Sequence, residues 1–441
     1  MTDTSASKTP GTPQVNWAGN YRYRAPRWHR PETIGELQDV VARSTQAKAL
    51  GSRHCFNDIA DTPGDLIDLT ALPDDFEVDP GAGTVTVSAA IRYGRLAPEL
   101  HAAGLALSNL ASLPHISIAG AIATGTHGSG VGNRGLAADI AGFELVKADG
   151  ELLSLRRDKD APFEAAVVGL GALGVLTRVT LDVQPTFDVR QDVFEDLPWT
   201  ELEANFDAII AAAYSVSLFT DWQGSAVSQV WCKSRLTGPG ATAGEDSLAF
   251  DSAGLVRRSL FGATPATTLR HPLPGLPGDV CTPQLGVPGP WFDRLPHFQL
   301  AFTPSNGNEV QAEYLVPRDR ALDVIAILRK NADRFAPLLQ VSEIRSVAAD
   351  ELWLSPAYQR DSVAFHFTWI NDEPAVLGAL TGIEEAIADC LPRPHWGKLF
   401  AYDATGLANA YPRLSEFRSL AKRLDPAGVF RNDFLDRTVY G

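Results

Sequence analysis

Ala111-Ser112-Leu-Pro-His-Ile-Ser117-Ile-Ala-Gly120-Ala-Ile-Ala-Thr124-Gly125-Thr126-His127-Gly128-Ser129-Gly130 contains no Asp, Glu, Lys or Arg and is crowded with Gly, Ser and Thr. A long uncharged stretch of this kind wraps a phosphate without bulky side chains and offers backbone N–H and hydroxyl donors. No Lys follows the glycines, so this is not a GxxxxGK[ST] phosphate loop. It is also not a GxGxxG opening a helix after a strand, which argues against a nicotinamide site. Upstream, a short apolar stretch at Lys48-Ala-Leu50 runs into a tight polar turn, Gly51-Ser52-Arg53-His54-Cys55-Phe56-Asn57, with a histidine at its tip. Small residues there let backbone N–H groups approach a pyrophosphate. Taken alone, that turn reads as an ordinary one with an exposed histidine. Two such segments in one half of the chain favour a phosphate-bearing cofactor over a pair of structural loops.

Working outward, the surrounding pattern is mixed α and β. Ile34, Leu37, Val40 and Val41 fall at helical spacing after Pro31. Residues 66–69 and 84–88 read as strands, the second by strict alternation. Tyr93, Leu96 and Leu100 predict a helix that stops at Gly104. Residues 143–148 and 151–155 flank Asp149-Gly150 as a hairpin with a type I′ turn, and 174–182 is a further strand. A second region starts near residue 185. Its Pro- and Gly-rich stretch 236–279 reads as a long surface excursion. Leu322, Ile325 and Leu328 predict a helix over 321–335, two strands follow at about 338–347 and 363–370, and 424–430 forms a turn that closes the chain. No internal repeat of fixed period is present.

With 441 residues the chain has room for one or two domains and a large core. Its 38 Lys+Arg against 53 Asp+Glu leave a net charge of −15, which argues against nucleic acid and anionic membranes as partners. No apolar run approaches the length of a membrane helix. Residues 1–14, MTDTSASKTPGTPQ, lack an apolar core and read as a disordered arm rather than a secretory leader. Cys55, Cys232, Cys281 and Cys390 show neither CxxC nor zinc spacing, so reduced thiols, a cytoplasmic setting and no metal are expected.

A third constellation lies in the second region. In Leu339-Gln-Val-Ser-Glu343-Ile-Arg345 the period of two puts Glu343 and Arg345 on one face. In Phe365-His366-Phe367-Thr368-Trp369, His366 and Thr368 share one face and three aromatics the other. A single buried Glu–Arg pair is commonly structural. Two polar-faced strands in an apolar setting, if they are neighbours, make a patch suited to hydroxyl groups. Lys398, in Pro394-His395-Trp-Gly-Lys398, sits in a rigid aromatic context, where the plain reading is a surface lysine.

These residues together give the chain a family look. It resembles the FAD-linked oxidases of the vanillyl-alcohol oxidase type, and among them most closely the alditol (xylitol) oxidases. The resemblance runs through Asn16-Trp-Ala-Gly-Asn20, the His54 turn, Asn109-Leu-Ala-Ser-Leu-Pro-His-Ile-Ser117 and Ala123-Thr-Gly-Thr-His-Gly-Ser-Gly-Val-Gly-Asn133. It continues through Gly171-Ala-Leu-Gly-Val175, Ala213-Tyr-Ser-Val-Ser-Leu-Phe-Thr-Asp-Trp222, Gly286-Val-Pro-Gly-Pro-Trp291, Glu343-Ile-Arg345, His366-Phe-Thr368 and Pro394-His-Trp-Gly-Lys398. It implies an α+β, two-domain FAD-binding fold of the vanillyl-alcohol oxidase/PCMH type. Residues 15–185 would form the FAD domain, 186–400 a substrate domain of antiparallel sheet flanked by helices, and 401–441 would return to the FAD domain.

The resemblance further implies FAD bonded covalently through its 8α carbon to His54. Gly51, Ser52, Arg53 and Cys55 would surround that link. Ser112, Ser117, Gly120 and the Thr124-Gly125-Thr126-His127 stretch would hold the rest of the cofactor, with Val175, His395 and Lys398 beside it. The family's usual turn has Gly before the histidine and Ser after it, where this chain has Arg53 and Cys55. Arg53 is suited to a flavin phosphate, and a non-Gly residue there costs energy if the turn needs positive φ. The activity implied is oxidation of a primary alcohol of a polyol to the aldehyde, with O2 giving H2O2 and no other macromolecule required. Arg345 and Lys398 would stabilise the developing alkoxide, with His366 as base or hydrogen-bond partner. Ser112, Glu343 and Thr368, with Arg345 and Lys398, would bind the hydroxyls. Ala111 is small enough for oxygen access. Alternatives are an aldonolactone oxidase or dehydrogenase of the same family, and a flavin-binding protein without turnover. The charge favours a soluble monomer.

Overall fold

The computed structural model describes residues 14–236, 259–302 and 308–441. The arm expected at 1–14 therefore falls, except for residue 14, outside the described residues. Two sheets carry the first half. β1 (Arg27–His29), β2 (Ala47–Leu50) and β3 (Asp65–Asp68) form a parallel sheet in the order β1-β3-β2. β4 (Phe76–Asp79), β5 (Thr84–Ser88), β6 (Ile140–Val146), β7 (Leu152–Arg156) and β8 (Val175–Asp182) form an antiparallel sheet ordered β4-β5-β8-β6-β7. Between them run α1 (Ile34–Arg43), capped by the Thr33 side chain, α2 (Tyr93–Ala102), which ends just before Gly104 at φ +77, and α3 (Ile118–Ala123).

The β6–β7 hairpin departs from the type I′ expectation. That turn needs positive φ at both central residues, whereas here only Gly150 is left-handed, at φ +82. The Gly150 N–H donates to Lys147 O and the Lys147 N–H to Glu151 O. The connection is thus a three-residue loop with a glycine bulge, and the Asp149 carboxylate accepts from the Glu151 N–H.

The second half is built on one large antiparallel sheet. Its long strands are β9 (Asp188–Pro198), β10 (Ser215–Thr220), β11 (Ala226–Arg235), β12 (Glu309–Pro317), β13 (Leu339–Val347) and β14 (Ser362–Ile370), ordered β9-β11-β10-β13-β14-β12. One face is closed by α4 (Trp199–Ile210), α5 (Ala321–Asn331) and α6 (Glu373–Ile387). Phe365, Phe367 and Trp369 all point to that face and are fully buried against Leu202, Phe206, Ile325, Leu328 and Leu380. Each such side chain contributes about 1.5–3 kcal/mol by leaving water. The opposite face of the same strands is therefore the one left for chemistry. The helix predicted over 321–335 ends at Asn331 and continues as 3-10 turns to Leu338. Of the predicted surface excursion at 236–279, residues 237–258 lie outside the described residues. The remainder is no free loop: Thr264–Pro265 pairs with β9, and Leu260, Ala263 and His271 are buried.

The chain ends back on its first half. α7 (Ala404–Ala410) and α8 (Leu414–Leu424) bury Leu407, Leu414, Phe417 and Leu420 in the same core as Leu37, Val41, Leu96 and Leu100. The Ala47 N–H donates to Val429 O, and the Asn432 side chain donates to the carbonyls of Asp58, Ile59 and Asp61. The tail thus braces the strand and loop on either side of the His54 turn.

Candidate active site

β2 leads directly into the Gly51–Cys55 turn, and α3 starts against it. The Ser52 N–H donates to Ser117 Oγ at 3.2 Å, and the Ser117 N–H returns a bond to Ser52 Oγ at 3.0 Å. The approach requires glycine: a Cβ at Gly51 or at Gly120 would sit 2.9 Å from Ser117 Oγ. Arg53 adopts φ +66, so the positive-φ position anticipated from the sequence is real and is held by a side chain that disfavours it.

His54 is not exposed. Its ring stacks on Trp17 with centroids 5.4 Å apart, and Nδ1 lies 3.0 Å from Ser52 Oγ. Burial, then Arg92 and His115, pull its pKa down to about 3, so the imidazole is neutral. The segment before it is clamped on the turn: the Trp17 N–H donates to Arg53 O, and the Asn16 amide donates to Cys55 O. Burial pushes the Cys55 thiol up to about 12, leaving it un-ionised.

Facing this turn is the polar side of the large sheet. Register sets it: Glu313, His366, Glu343 and Phe219 are directly opposite one another across β12, β14, β13 and β10. Gln311, Thr368 and Val341 make the next row. Residues paired in this way hold their Cβ atoms about 4.5–5.5 Å apart. Lys398 Nζ reaches in from the loop after Trp396 and donates to Gln311 Oε1 at 2.8 Å and His366 Nδ1 at 2.9 Å, with Glu313 Oε2 at 3.5 Å. Arg345 donates to Ser112 Oγ at 3.1 Å and to Glu313 Oε1 at 3.3 Å, and its Nε is 3.4 Å from Glu343. His366 Nε2 is 3.3 Å from Thr368 Oγ1.

Glu313, only 1% exposed, is the common counter-charge. Burial alone would raise its pKa; Lys398, then His127, override this and hold it well below the usual carboxylate range. The same balance holds Glu343 low, with Arg345 and His297 overriding burial. Burial lowers Lys398 against the upward pull of Glu313. It pulls His366 down to about 4 and His395 to about 3, so both imidazoles are neutral near pH 7.

A cavity of about 710 Å³ joins the two halves, lined by the Gly51–Cys55 turn, by Ser112, Ser117, Gly120, Thr124, Thr126 and His127, and by Glu343, Arg345, His366, Thr368, His395 and Lys398. Two of the sequence-predicted residues stand apart. Gly125, at φ +72, turns against Pro356 instead of the cavity. The Val175 side chain points into the core by the alternation of β8, and Gly174 and Leu176 line the cavity in its place. Lys398 is no surface lysine: its side chain is 15% exposed and lines the cavity. Residues not anticipated are Glu313 and Gln311, His297, Lys48 and Arg92. Glu309-Val-Gln-Ala-Glu313-Tyr314 carries the same alternation that marked the two neighbouring strands.

The cavity fits a flavin dinucleotide. Glycines stand at the closest backbone approach, and apolar walls come from Ala111, Ile116, Leu145, Val167 and Leu173. Among those residues no group of three or more His, Cys, Asp or Glu is arranged to hold a metal ion.

Fold and site define a two-lobed flavin-dependent oxidoreductase whose cofactor is FAD. Residues 27–156 match the family described as FAD binding domain, and 303–438 the family described as D-arabinono-1,4-lactone oxidase. The chain is 49% identical to an alditol oxidase from a Streptomyces species, over 96% of this chain and 98% of that one. It is 32% identical to L-gulono-1,4-lactone dehydrogenase from Mycobacterium tuberculosis, over the same shares. In fold it is similar to the cholesterol oxidase of Brevibacterium sterolicum, with a TM-score of 0.75 at 16% identity, covering 96% of each chain. The chain belongs to the FAD-linked oxidases of the vanillyl-alcohol oxidase type.

Proposed function

We propose that the protein is an alditol oxidase, which converts a terminal CH2OH of a polyol such as xylitol or sorbitol to the aldehyde while O2 becomes H2O2. The observation carrying this reading is the uncharged-hydroxyl chemistry of the sheet face. Ser112, Glu343, Thr368, Arg345 and Lys398 gather around one cavity, opposite the His54 turn. Similarity to the alditol oxidase at 49% identity supports it over the lactone enzymes at 32%. FAD, held by the Gly51–Cys55 turn and the 117–127 segment, would supply the two-electron oxidation of the alcohol carbon, with O2 as the final acceptor.

The remaining work falls to side chains. Arg345 and Lys398 offer fixed positive charge to the oxygen that becomes an alkoxide, in a desolvated site where such charge counts most. Neutral His366 accepts from Lys398 Nζ through Nδ1; taking the hydroxyl proton on that same nitrogen would make the ring an imidazolium and free a Lys398 N–H for the alkoxide. Glu343, Thr368 and Ser112 hold the other hydroxyls, and an analogue lacking one leaves a buried partner unmet. His54, neutral and stacked on Trp17, is the attachment residue for the cofactor. Residues 15–185 with 401–441 make up the cofactor domain and 186–400 the substrate domain. No described helix is long and apolar enough to cross a membrane. All four cysteines are free thiols, which supports a cytoplasmic protein. The surplus of acidic residues supports a monomer.

An aerobic peroxide assay over polyols and aldonolactones tests the activity: turnover with xylitol or sorbitol is expected, and turnover with lactones alone would overturn it. Acid denaturation tests the attachment: the yellow colour should stay with the chain, and should be released from His54→Ala.

A further inference from the structure

Lys398 and His366 have a counterpart deeper in the same sheet. Lys233, on β11 and 1% exposed, places Nζ 2.5 Å from Leu295 O, 3.0 Å from Pro296 O and 3.0 Å from His297 Nδ1. An ammonium has three donors and no acceptor. Burial pulls Lys233 down to about 7; in its ammonium form it donates to both carbonyls and to His297 Nδ1, which offers its lone pair because ionised Glu343, on the far side of the ring, can only accept. The proton of His297 is therefore on Nε2, which lies 2.7 Å from Glu343 Oε1. The ring cannot easily turn: Trp231 and Phe219 meet it edge-on at 5.3 and 5.6 Å. The His297 main-chain N–H also donates to Ser112 O, so one residue braces two of the groups on the cavity wall. Glu343 Oε2 is left without a protein partner among the described residues, and Glu343 lines the cavity.

We propose that Lys233 and His297 form a tautomer lock that fixes Glu343 as the acceptor for one particular substrate hydroxyl, making this buried pair a specificity-determining element that never touches the substrate. Without the lysine, the Nδ1–H tautomer becomes available, and the Nε2 lone pair then faces a carboxylate oxygen. Glu343 loses its donor and its orientation. That the hydroxyl belongs to a polyol rests on the function proposed above; the lock itself does not.

The test uses the FAD-loaded enzyme and two readouts. Nitrogen-15 spectra of labelled histidine, assigned with His297→Gln, report the tautomer without any substrate; wild type should show Nε2–H at position 297 and Lys233→Met a mixture or the Nδ1–H form. Kinetics with xylitol should show KM rising tenfold or more in Lys233→Met while kcat falls much less. Glutamine at 297 keeps an N–H for Glu343 and has no tautomer to set, so adding Lys233→Met to His297→Gln should change KM by less than threefold. An unchanged Nε2–H signal in Lys233→Met, or the same KM increase in both backgrounds, would overturn the lock. Should Lys233→Met fail to fold, His297→Phe against His297→Gln decides: only the phenylalanine should raise KM, and equal effects would count against the proposal. If wild type leaves xylitol untouched, the polyol reading fails while the tautomer spectra still judge the lock.

Discussion

The two walls of the cavity solve recognition in opposite ways. The cofactor wall, from Gly51–Cys55 and 117–127, works through backbone N–H groups, small side chains and a neutral histidine. The sheet wall puts Glu313, Glu343, Arg345, Lys398 and His366 within a few ångströms of one another in a desolvated layer. A backbone cradle keeps its shape when one side chain changes. A cluster of buried charges does not, because removing one member leaves its partners unpaired at a cost of about 3–5 kcal/mol. The walls should therefore respond differently to substitution and to pH.

The largest separation is expected from Lys398→Ala. Its ammonium donates to Gln311 and His366 and, in the proposed reaction, faces the alcohol, so kcat should fall by about 10³-fold or more, roughly 4 kcal/mol of barrier. The protein should stay yellow, because the cradle does not depend on it. Stopped-flow reduction by xylitol measures both, and near-normal reduction would sink the assignment. Glu313→Gln comes next. Glu313 offsets Lys398 and Arg345, and the amide would leave those two cations facing one another, so a loss of about 3–5 kcal/mol is expected from urea unfolding. A variant as stable as wild type would mean that the cluster is not held by that carboxylate.

The sequence made the two walls unequally legible. Around His54 and 111–130 the composition itself carries the signal, since little but a phosphate cradle calls for so many small uncharged residues in a row. On the sheet wall, β13 and β14 were legible because Phe365, Phe367 and Trp369 alternate with polar residues. β12 has the same alternation in Val310, Ala312 and Tyr314 against Glu309, Gln311 and Glu313, but without the aromatic run of β14 to mark it, so nothing in the sequence singles out Glu313 as the central counter-charge. β9 and β11 were harder for a physical reason. Arg190, Gln191, Asp192, Lys233 and Arg235 are buried there, Arg190 paired with Asp192 on its own strand and Lys233 with the 295–297 segment, and buried charge disguises the period of two. For the same reason nothing in Lys233 or His297 announces a link to Glu343 across 110 positions of chain.

Acid should weigh most on the sheet wall, where His297, His366 and His395 are held neutral against His54 alone on the cofactor wall. His297 and His366 sit at about 4 and His395 at about 3 in the fold, against about 6.5 in the unfolded chain. Between those values the unfolded state binds more protons, so stability falls as pH drops from about 6.5 toward 4. Each group contributes at most about 1.4 kcal/mol per pH unit. Below about 4.5 the lowered pKa values of Glu313 and Glu343 act in the same direction. Urea midpoints at pH 7.5, 6.0 and 5.0 should fall steadily, and a flat profile from 6.5 to 5 would show that these rings are not held neutral.

The smallest effect is the most discriminating for the cofactor wall. Arg53 is held at φ +66, a conformation that costs an L-residue about 1–2 kcal/mol. Glycine has no such cost but loses more chain entropy on folding, about 0.5–1 kcal/mol, so Arg53→Gly should raise the stability of the cofactor-free protein by about 0.5 kcal/mol. A side chain kept in strain next to the proposed attachment residue has a use elsewhere, and for a guanidinium facing a dinucleotide cavity that use is a phosphate. In a His54→Ala background, where FAD exchanges freely, Arg53→Gly should therefore weaken FAD binding by about fivefold to tenfold, about 1–1.4 kcal/mol. Calorimetric melting of the cofactor-free protein and a flavin titration separate the two terms. Lower stability together with unchanged FAD affinity would show that Arg53 braces the turn, and that this wall too is held by a side chain rather than by its backbone.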